Sequence, residues 1–513
     1  MLSFIVRRII ASILTLLVAA FIMYLLTSYS GDPLEDLRGS NAPNAQLLIG
    51  QRIERLSLDV PPPLRFFGWL AGAAGCLTPF TTCDLGTDLN YTPVTQLLPP
   101  AAASTVRLVS AATILAILFG IITGIVSALR QYSAFDLGMT FVSFLLYSLP
   151  SFLAAVLLKE FIAIGFNNWL AGGDSSIGLI PMLLVAIVVG VIVQALVGGS
   201  NRNRVLSFVI SGGFTFGLLF LLDTINWFQN PGLGWAGLAL LIAGIVVAVT
   251  AVVSGFGNRR ALIGAVIAGV LAYIAFFALQ GLFNISTIWT IVLLGLATLA
   301  VSFVVGWVIG GHDRGQVIRV TMLVGFLSSL LVVADRYMQA WPQYLTNPRI
   351  NNRPIATVGE QTVGLTGDMW VTGLDTFTHF LLPTISLTLI SFAGYTRYAR
   401  AGLLEVMNQD YIRTARAKGL SERVVITRHA FRNMLIPITT IVAADVGALL
   451  GGALITERVF AISGMGAMFN AGLARVDVNP VMGYFLVVAI TAILFNFIAD
   501  LSYALLDPRV RVK

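Results

Sequence analysis

Few side chains in this sequence could do chemistry, and their scatter limits what that chemistry is. The three histidines, His312, His379 and His429, fall in loops or at predicted helix ends, far apart in the chain. Catalysis needs titratable groups that converge, and no metal-ligating or nucleophile constellation gathers around any of them. A nucleotide phosphate loop needs a lysine directly after a glycine. Lys159, Lys418 and Lys513 are the only lysines, and none follows a glycine. The chain therefore carries no ATP-hydrolysing site of its own, and no catalytic, cofactor-binding or metal-binding residue is assigned to it.

Three other features remain. Asp445 sits inside an apolar run, away from both ends. An intramembrane carboxylate is expensive and faces a cavity or a partner, so it either lines a polar path through the membrane or is an internal ion pair or a buried protonated acid. Cys76 and Cys83 are the only cysteines, in a polar, Pro-rich stretch. Two thiols cannot make a structural zinc site alone; they either close a small disulfide loop in an oxidising compartment or are unrelated. The third feature is the run Gln409-Asp410-Tyr411-Ile412-Arg413-Thr414-Ala415-Arg416-Ala417-Lys418-Gly419-Leu420. Its pattern predicts a helix from Asp410, closed by Gly419, whose missing Cβ suits a C-terminal cap. Ser421 is placed to cap a second helix. Tyr411, Ala415 and Lys418 fall on one helical face. Such a helix either passes force to a soluble partner or rests on anionic lipid headgroups.

The elements that position these residues follow from composition. Of 513 residues, 57% are hydrophobic and 11% charged, against about 25% charged in a soluble domain. Apolar runs long enough to cross a bilayer are predicted at about 5–28, 104–129, 136–163, 177–198, 205–223, 233–254, 260–283, 286–310, 317–335, 379–400, 433–456 and 481–506, twelve in all. Lipid cannot satisfy free backbone groups, so these segments are helical. The first is too long for a signal-peptide core and reads as an uncleaved spanning helix. The net charge of +7 lies mostly in short arginine clusters between apolar runs. With Arg7 and Arg8 inside, the inside connections carry Arg130, Arg202 and Arg204, Arg259 and Arg260, Arg314 and Arg319, the stretch Arg397 to Arg432, and Arg509, Arg511 and Lys513. The short outside connections near 164–176, 224–232 and 284–285 carry no Lys or Arg. This alternation is a topology signal, not a nucleic-acid face. It places both termini in the cytoplasm.

The organisation read from the chain is a first helix over 1–28, an extracytoplasmic loop over 29–103, two helices over 104–163, a block of about six helices over 164–339, a second extracytoplasmic loop over 340–378, and helices over 379–513 flanking an inside loop at 401–432. The middle block is rich in Gly, Ala, Val, Ile and Leu and shows nothing that looks like a substrate site.

The 409–420 run resembles a motif of the dipeptide/oligopeptide/nickel class of binding-protein-dependent ABC permeases, which commonly reads Q-D-Y-[IV]-R-T-A-R-A-K-G-L. Of the wider E-A-A-x3-G signature only Ala415 and Gly419 match, because Arg413 and Thr414 fill the first two positions. Further similar segments lie in order: Gly31-Asp32-Pro33, Asp84-Leu85-Gly86 with Pro93-Val94, Ser148-Leu149-Pro150-Ser151-Phe152, His379 with Leu382-Pro383, Glu457 with Val459-Phe460 and Gly464-Met465-Gly466, and Tyr503 to Arg509. The resemblance covers about 1–163 and 340–513 and is nearest the B-type subunit. It implies an all-α polytopic protein with the type I ABC importer permease fold, six core helices plus about six inserted. It also implies a permease subunit for di- or oligopeptides in a bacterial inner membrane. Its expected partners are a C-type permease, two ATPase subunits that carry ATP and Mg, an extracytoplasmic peptide-binding protein and membrane lipid. The residues expected to couple to the ATPase are Asp410, Tyr411, Ile412, Arg413, Thr414, Ala415, Arg416, Ala417, Lys418 and Gly419, supported by Arg428, His429 and Asn433. The rival is a stand-alone twelve-helix secondary transporter, a class that tends to show internal repeats; none is visible between the halves.

Overall fold

In the computed structural model the described residues are 2–39, 43–76, 82–172 and 176–506, with side chains described outside 2–5, 448–452 and 500–506. Arg509, Arg511 and Lys513 lie outside the described residues, as does the end of the Tyr503 to Arg509 segment. Among the described residues the fold is all helix, with one isolated bridge between Thr87 and Pro93. We number the principal helices α1 Leu2–Tyr29, α2 Val94–Leu129, α3 Ala134–Ser148, α4 Ser151–Ala171, α5 Leu179–Val197, α6 Asn201–Thr224, α7 Gly234–Val253, α8 Arg259–Ala278, α9 Ile288–Ile309, α10 Arg314–Leu345, α11 Met369–Met407, α12 Asp410–Ala417, α13 Phe431–Gly452, α14 Leu454–Phe460, α15 Met465–Ala474 and α16 Val478–Leu506.

Eleven helices among the described residues are long and apolar enough to cross a membrane. The 22-residue α13 coincides with the remaining expected span, at 433–456. Their surfaces agree with lipid as solvent. No residue of α6 is buried, yet it presents Phe214, Leu221 and Ile210 more than half exposed. Water does not tolerate an apolar face of that size.

Several boundaries differ from the sequence expectation. The segment at 136–163 is two helices, because Pro150 has no N–H and holds the chain extended: Leu149 and Pro150 sit at ψ 125° and 139°. Within α4 the residues Leu158–Ile164 form a π-helix. Its Lys159 donates to the Val459 carbonyl at 3.3 Å. Helix α2 begins at Val94, ten residues before the expected start, and runs through Pro99 and Pro100. The segment 29–103 is not a plain loop. It holds short helices at Glu35–Arg38, Ala45–Arg55 and Pro62–Gly75, and a disulfide joins Cys76 to Cys83. The second long connection shrinks to 346–368, since α10 continues to Leu345 and α11 starts at Met369.

The chain divides into two compact units, one of residues 1–162, 357–360 and 380–513, the other of 163–356 and 361–379. In the first unit, Tyr24 of α1 packs with Phe66, Trp69, Val94 and Met482, which seats the segment around Asp84-Leu85-Gly86 on the start of α16. The Leu89 amide donates to buried Asp477 at 2.7 Å, and Asn479 donates to the Thr87 carbonyl at 2.8 Å. In the second unit, α7, α8 and α10 meet through small residues: Ala261, Ala265 and Ala268 pack on Val246, Val249, Val317, Val320 and Val324. Lipid supplies little hydrophobic drive between helices, so close approach through small side chains holds such bundles.

Candidate functional site: the 408–433 connection

Helix α11 runs past the expected boundary to Met407, which shortens the 401–432 loop to a compact joint. Gln409, with extended backbone at φ −75° and ψ 150°, takes the N-cap position of α12, and its carbonyl accepts from Ile412 and Arg413. Asp410 places a carboxylate in the first turn and Arg416 a cation in the last, both favourable to the helix dipole. The helix ends in a Schellman motif. Gly419 is left-handed at φ +75°, its amide bonds to the Arg416 carbonyl at 2.9 Å, and the Leu420 amide reaches back to Ala415 at 3.4 Å.

Ser421 then starts the return helix, but by its backbone alone. Its carbonyl accepts from Val424 and Val425, while its hydroxyl makes no capping bond. The clamp across the turn is ionic instead. Arg416 grips Glu422 through both carboxylate oxygens, at 2.6 and 3.2 Å, and this bond holds the Glu422 carboxyl below its usual range. The pair is about half exposed, so it orders the turn more than it stabilises it. The Arg413–Asp410 pair, at 3.5 Å and almost fully exposed, contributes little.

Burial divides the face expected from spacing. Ala415 does not share a surface with Tyr411 and Lys418. It turns inward with Ile412, and both are buried among Ala399, Leu403, Val425, Ala430, Met434 and Ile438. The face that remains outside presents Tyr411, Arg413, Thr414, Arg416, Ala417 and Lys418. The reason is i, i+3 spacing of the two apolar side chains against the roots of α11 and α13. An eight-residue helix is too short to be stable in water by itself, so its conformation depends on that seat. The support residues divide too. Arg428 is exposed, while half-buried His429 and Asn433 lie along the Val425–Ala430 π-helix and the first turn of α13, where Asn433 donates to the His429 carbonyl at 3.1 Å.

A second set of residues, which spacing did not reveal, braces the same region. Asp136, 2% exposed, receives two hydrogen bonds from Arg400, at 2.7 and 2.9 Å, one from the Tyr132 amide at 2.9 Å, and one from Ser127. The bidentate fork ties the α2–α3 turn to the lower half of α11. The available signal was local: Ser133-x-x-Asp136 is a cap pattern, and the Asp136 amide does bond to Ser133. The partner, 264 residues away, carried no sequence signal.

The other motif residues gather elsewhere in the first unit. Glu457, fully buried, accepts from the Thr105 hydroxyl at 2.6 Å and from the amides of Gly466 and Ala467 at 2.8 and 3.2 Å. The Thr105 oxygen accepts in turn from Met465. A Cβ on Gly466 would stand 2.8 Å from the Glu457 carboxylate, so that position admits only glycine. Asp445, in α13, is half-buried and within electrostatic reach of the buried Tyr395 hydroxyl on α11. It lies apart from the 408–433 joint in the chain.

Comparison with known proteins gives this geometry a family. The profile described as binding-protein-dependent transport system inner membrane component matches residues 261–512. The match begins inside the block that the sequence set apart as inserted. The oligopeptide transport system permease protein OppB of Mycobacterium tuberculosis (strain ATCC 25618 / H37Rv) is 40% identical over 155 residues, 30% of this chain and 48% of its own length. The dipeptide transport system permease protein DppB of Escherichia coli K12 is 44% identical over 140 residues, 27% of this chain and 41% of its own. The oligopeptide transport system permease protein AppB of Bacillus subtilis (strain 168) is 39% identical over 136 residues, 26% and 43%. The matched stretches thus span under half the length of these relatives. Residues 261–512 of this multi-pass helical chain, just under half of it, match the family of binding-protein-dependent transport system inner membrane components.

Proposed function

We propose that this chain is a membrane-spanning permease subunit of an ATP-driven importer of di- or oligopeptides. The observation that carries the reading is the α12 joint. A short helix is clamped by Ile412 and Ala415 onto the ends of two long apolar helices, and it offers an aromatic and three cations outward. A push on that face cannot be absorbed in the joint, because the buried seat makes α12 one piece with α11 and α13. Interiors packed at crystal-like density pass displacement on.

In this reading α12 docks on a separate ATPase subunit that carries ATP and Mg. Arg413, Arg416 and Lys418 steer it toward carboxylates, and Tyr411 supplies apolar contact. Closure of two ATPases moves α11 and α13, with the Asp136–Arg400 fork carrying the motion to α2 and α3. A C-type permease completes the path, and a peptide-binding protein delivers cargo on the opposite face. Asp445, between the moving helices, is the candidate contact for a peptide amine. Arginine placement in the sequence supports a reading with the 408–433 joint and both termini in the cytoplasm, at a bacterial inner membrane. The Cys76–Cys83 bridge suits the oxidising side.

The test is reconstitution of the chain with its candidate partners in proteoliposomes. Uptake that needs ATP and all three classes of protein partner supports the reading. Uptake by the chain alone, driven by an ion gradient, refutes it, as does labelling of an introduced Lys418→Cys thiol from outside the cell.

A further inference from the structure

The second unit contains a feature that peptide transport does not use. Helices α8, α9 and α10 leave a cavity of about 370 Å³ between them. Its walls are apolar, among them Phe276, Phe283, Leu294, Gly295 and Val333. Gly295 borders open space, since a Cβ there would meet nothing within 4 Å. An apolar cavity of this kind does not hold water. Within a bilayer, the material at hand to fill it is hydrocarbon.

A cation stands one helical turn beyond the cavity wall. Val332, Val333 and Ser329 line the cavity from α10, and Arg336 follows on the same helical face at i+3, i+4 and i+7. Arg336 comes directly after the apolar run expected at 317–335, and a long cationic side chain next to such a run reaches for headgroups. This one is fixed in place. Its guanidinium donates to Asn284, next to the wall residue Phe283, and to Gln339 at 2.8 Å, and it stands 5.8 Å from the Trp370 ring centroid. Trp370 is itself held by the Phe283 carbonyl at 2.8 Å.

Both oxygens that Arg336 reaches are neutral amides. Its Nε is buried and has no hydrogen-bond partner, and it makes no ion pair among the described residues. The adjacent acid, Asp335, is spent on the Leu233 amide and on Gln339 Nε2. A guanidinium held in place but short of an anion, one turn beyond the wall residues Val332 and Val333, is complementary to phosphate, as the slot is to an acyl chain.

We propose that this unit holds one phospholipid, with an acyl chain between α8, α9 and α10 and its phosphate on Arg336. The site would give the six-helix block a function distinct from the α12 joint, namely a lipid-dependent brace.

The test uses the full-length purified chain, titrated with dioleoyl phosphatidylglycerol, with dioleoylglycerol lacking phosphate, and with inorganic phosphate, and read by native mass spectrometry and by thermal midpoint. One phosphatidylglycerol is expected to stay bound and raise the midpoint. Arg336→Gln should weaken its binding about tenfold or more. Gly295→Leu, whose Cβ meets nothing within 4 Å and whose side chain takes up room in the slot, should abolish it. Gly213→Leu, equally free of neighbours on lipid-facing α6, should leave binding unchanged. Retention by Arg336→Gln and Gly295→Leu equal to the parent chain overturns the proposal. So does equal binding of dioleoylglycerol, which removes the phosphate from the recognition, or equal protection by inorganic phosphate, which removes the lipid.

Discussion

Replacing Ile412 by alanine will unseat α12 while leaving the rest of the chain folded. Ile412 is fully buried, and alanine keeps the helix propensity, so the change acts on the seat and not on the helix. Truncation of a buried isoleucine costs about 2–5 kcal/mol. Taking the low end, because a joint at the edge of the core can partly collapse, about 2 kcal/mol raises the undocked population about 30-fold. The assay is limited trypsinolysis of the purified chain. Arg413, Arg416 and Lys418 are exposed cleavage sites that a docked helix presents in a poor conformation. When opening is fast relative to cleavage, the cutting rate follows the open population. Cleavage after these residues should therefore rise about 30-fold, while the proteoliposomes hydrolyse ATP with less peptide moved per turnover. Equal cleavage rates and unchanged coupling in Ile412→Ala would show that the seat does not hold the joint.

The brace at Asp136 gives a second test. Asp136→Ala leaves Arg400 without its fork, and Arg400→Ala leaves a buried carboxylate unpaired, so each should destabilise by about 3–5 kcal/mol in denaturation. The double variant should cost clearly less than the sum of the two. Gly419→Ala forces a Cβ into φ +75° with no clash nearby, so strain alone should cost about 1–2 kcal/mol, read as faster amide exchange at Leu420. At the other end of the unit, burial against the opposing pull of the Leu89 amide, with help from Asp88 and against Arg55 and Arg52, pushes Asp477 up to about 6. A carboxyl raised above its unfolded value of about 3.9 binds its proton more tightly in the folded state. Its contribution, about 3 kcal/mol, is then full below pH about 4 and lost as pH rises through about 6. Thermal midpoints from pH 4 to 7 should show that loss in the parent chain and not in Asp477→Asn.

How much was legible beforehand divides by range. The helical class, the spans and the arginine alternation follow from a solvent that satisfies no backbone group, so composition and run length alone carried them. The α12 helix, its Gly419 stop and the position of Ser421 are equally local, because caps are decided by a few neighbouring dihedrals. The break at Leu149-Pro150 was legible in principle, since proline acts on its own neighbours; an apolar run long enough to span hid it.

What only the tertiary structure decided was which side of each helix is used and what meets it. The i, i+4, i+7 pattern grouped Ala415 with Tyr411 and Lys418. The true buried pair is Ile412 and Ala415, because α11 and α13 approach from that side. Arg400 looked like one more cytoplasmic charge until it closed on Asp136, and Glu457 was a motif letter until Thr105 and two amides converged on it. Arg336 was no different from any loop arginine until Asn284 and the Trp370 ring met it. Periodicity and solvent fix the segments of a membrane chain, since both act along it. Pairing across hundreds of residues depends on how small side chains let helices approach, and that is a property of the packed bundle alone.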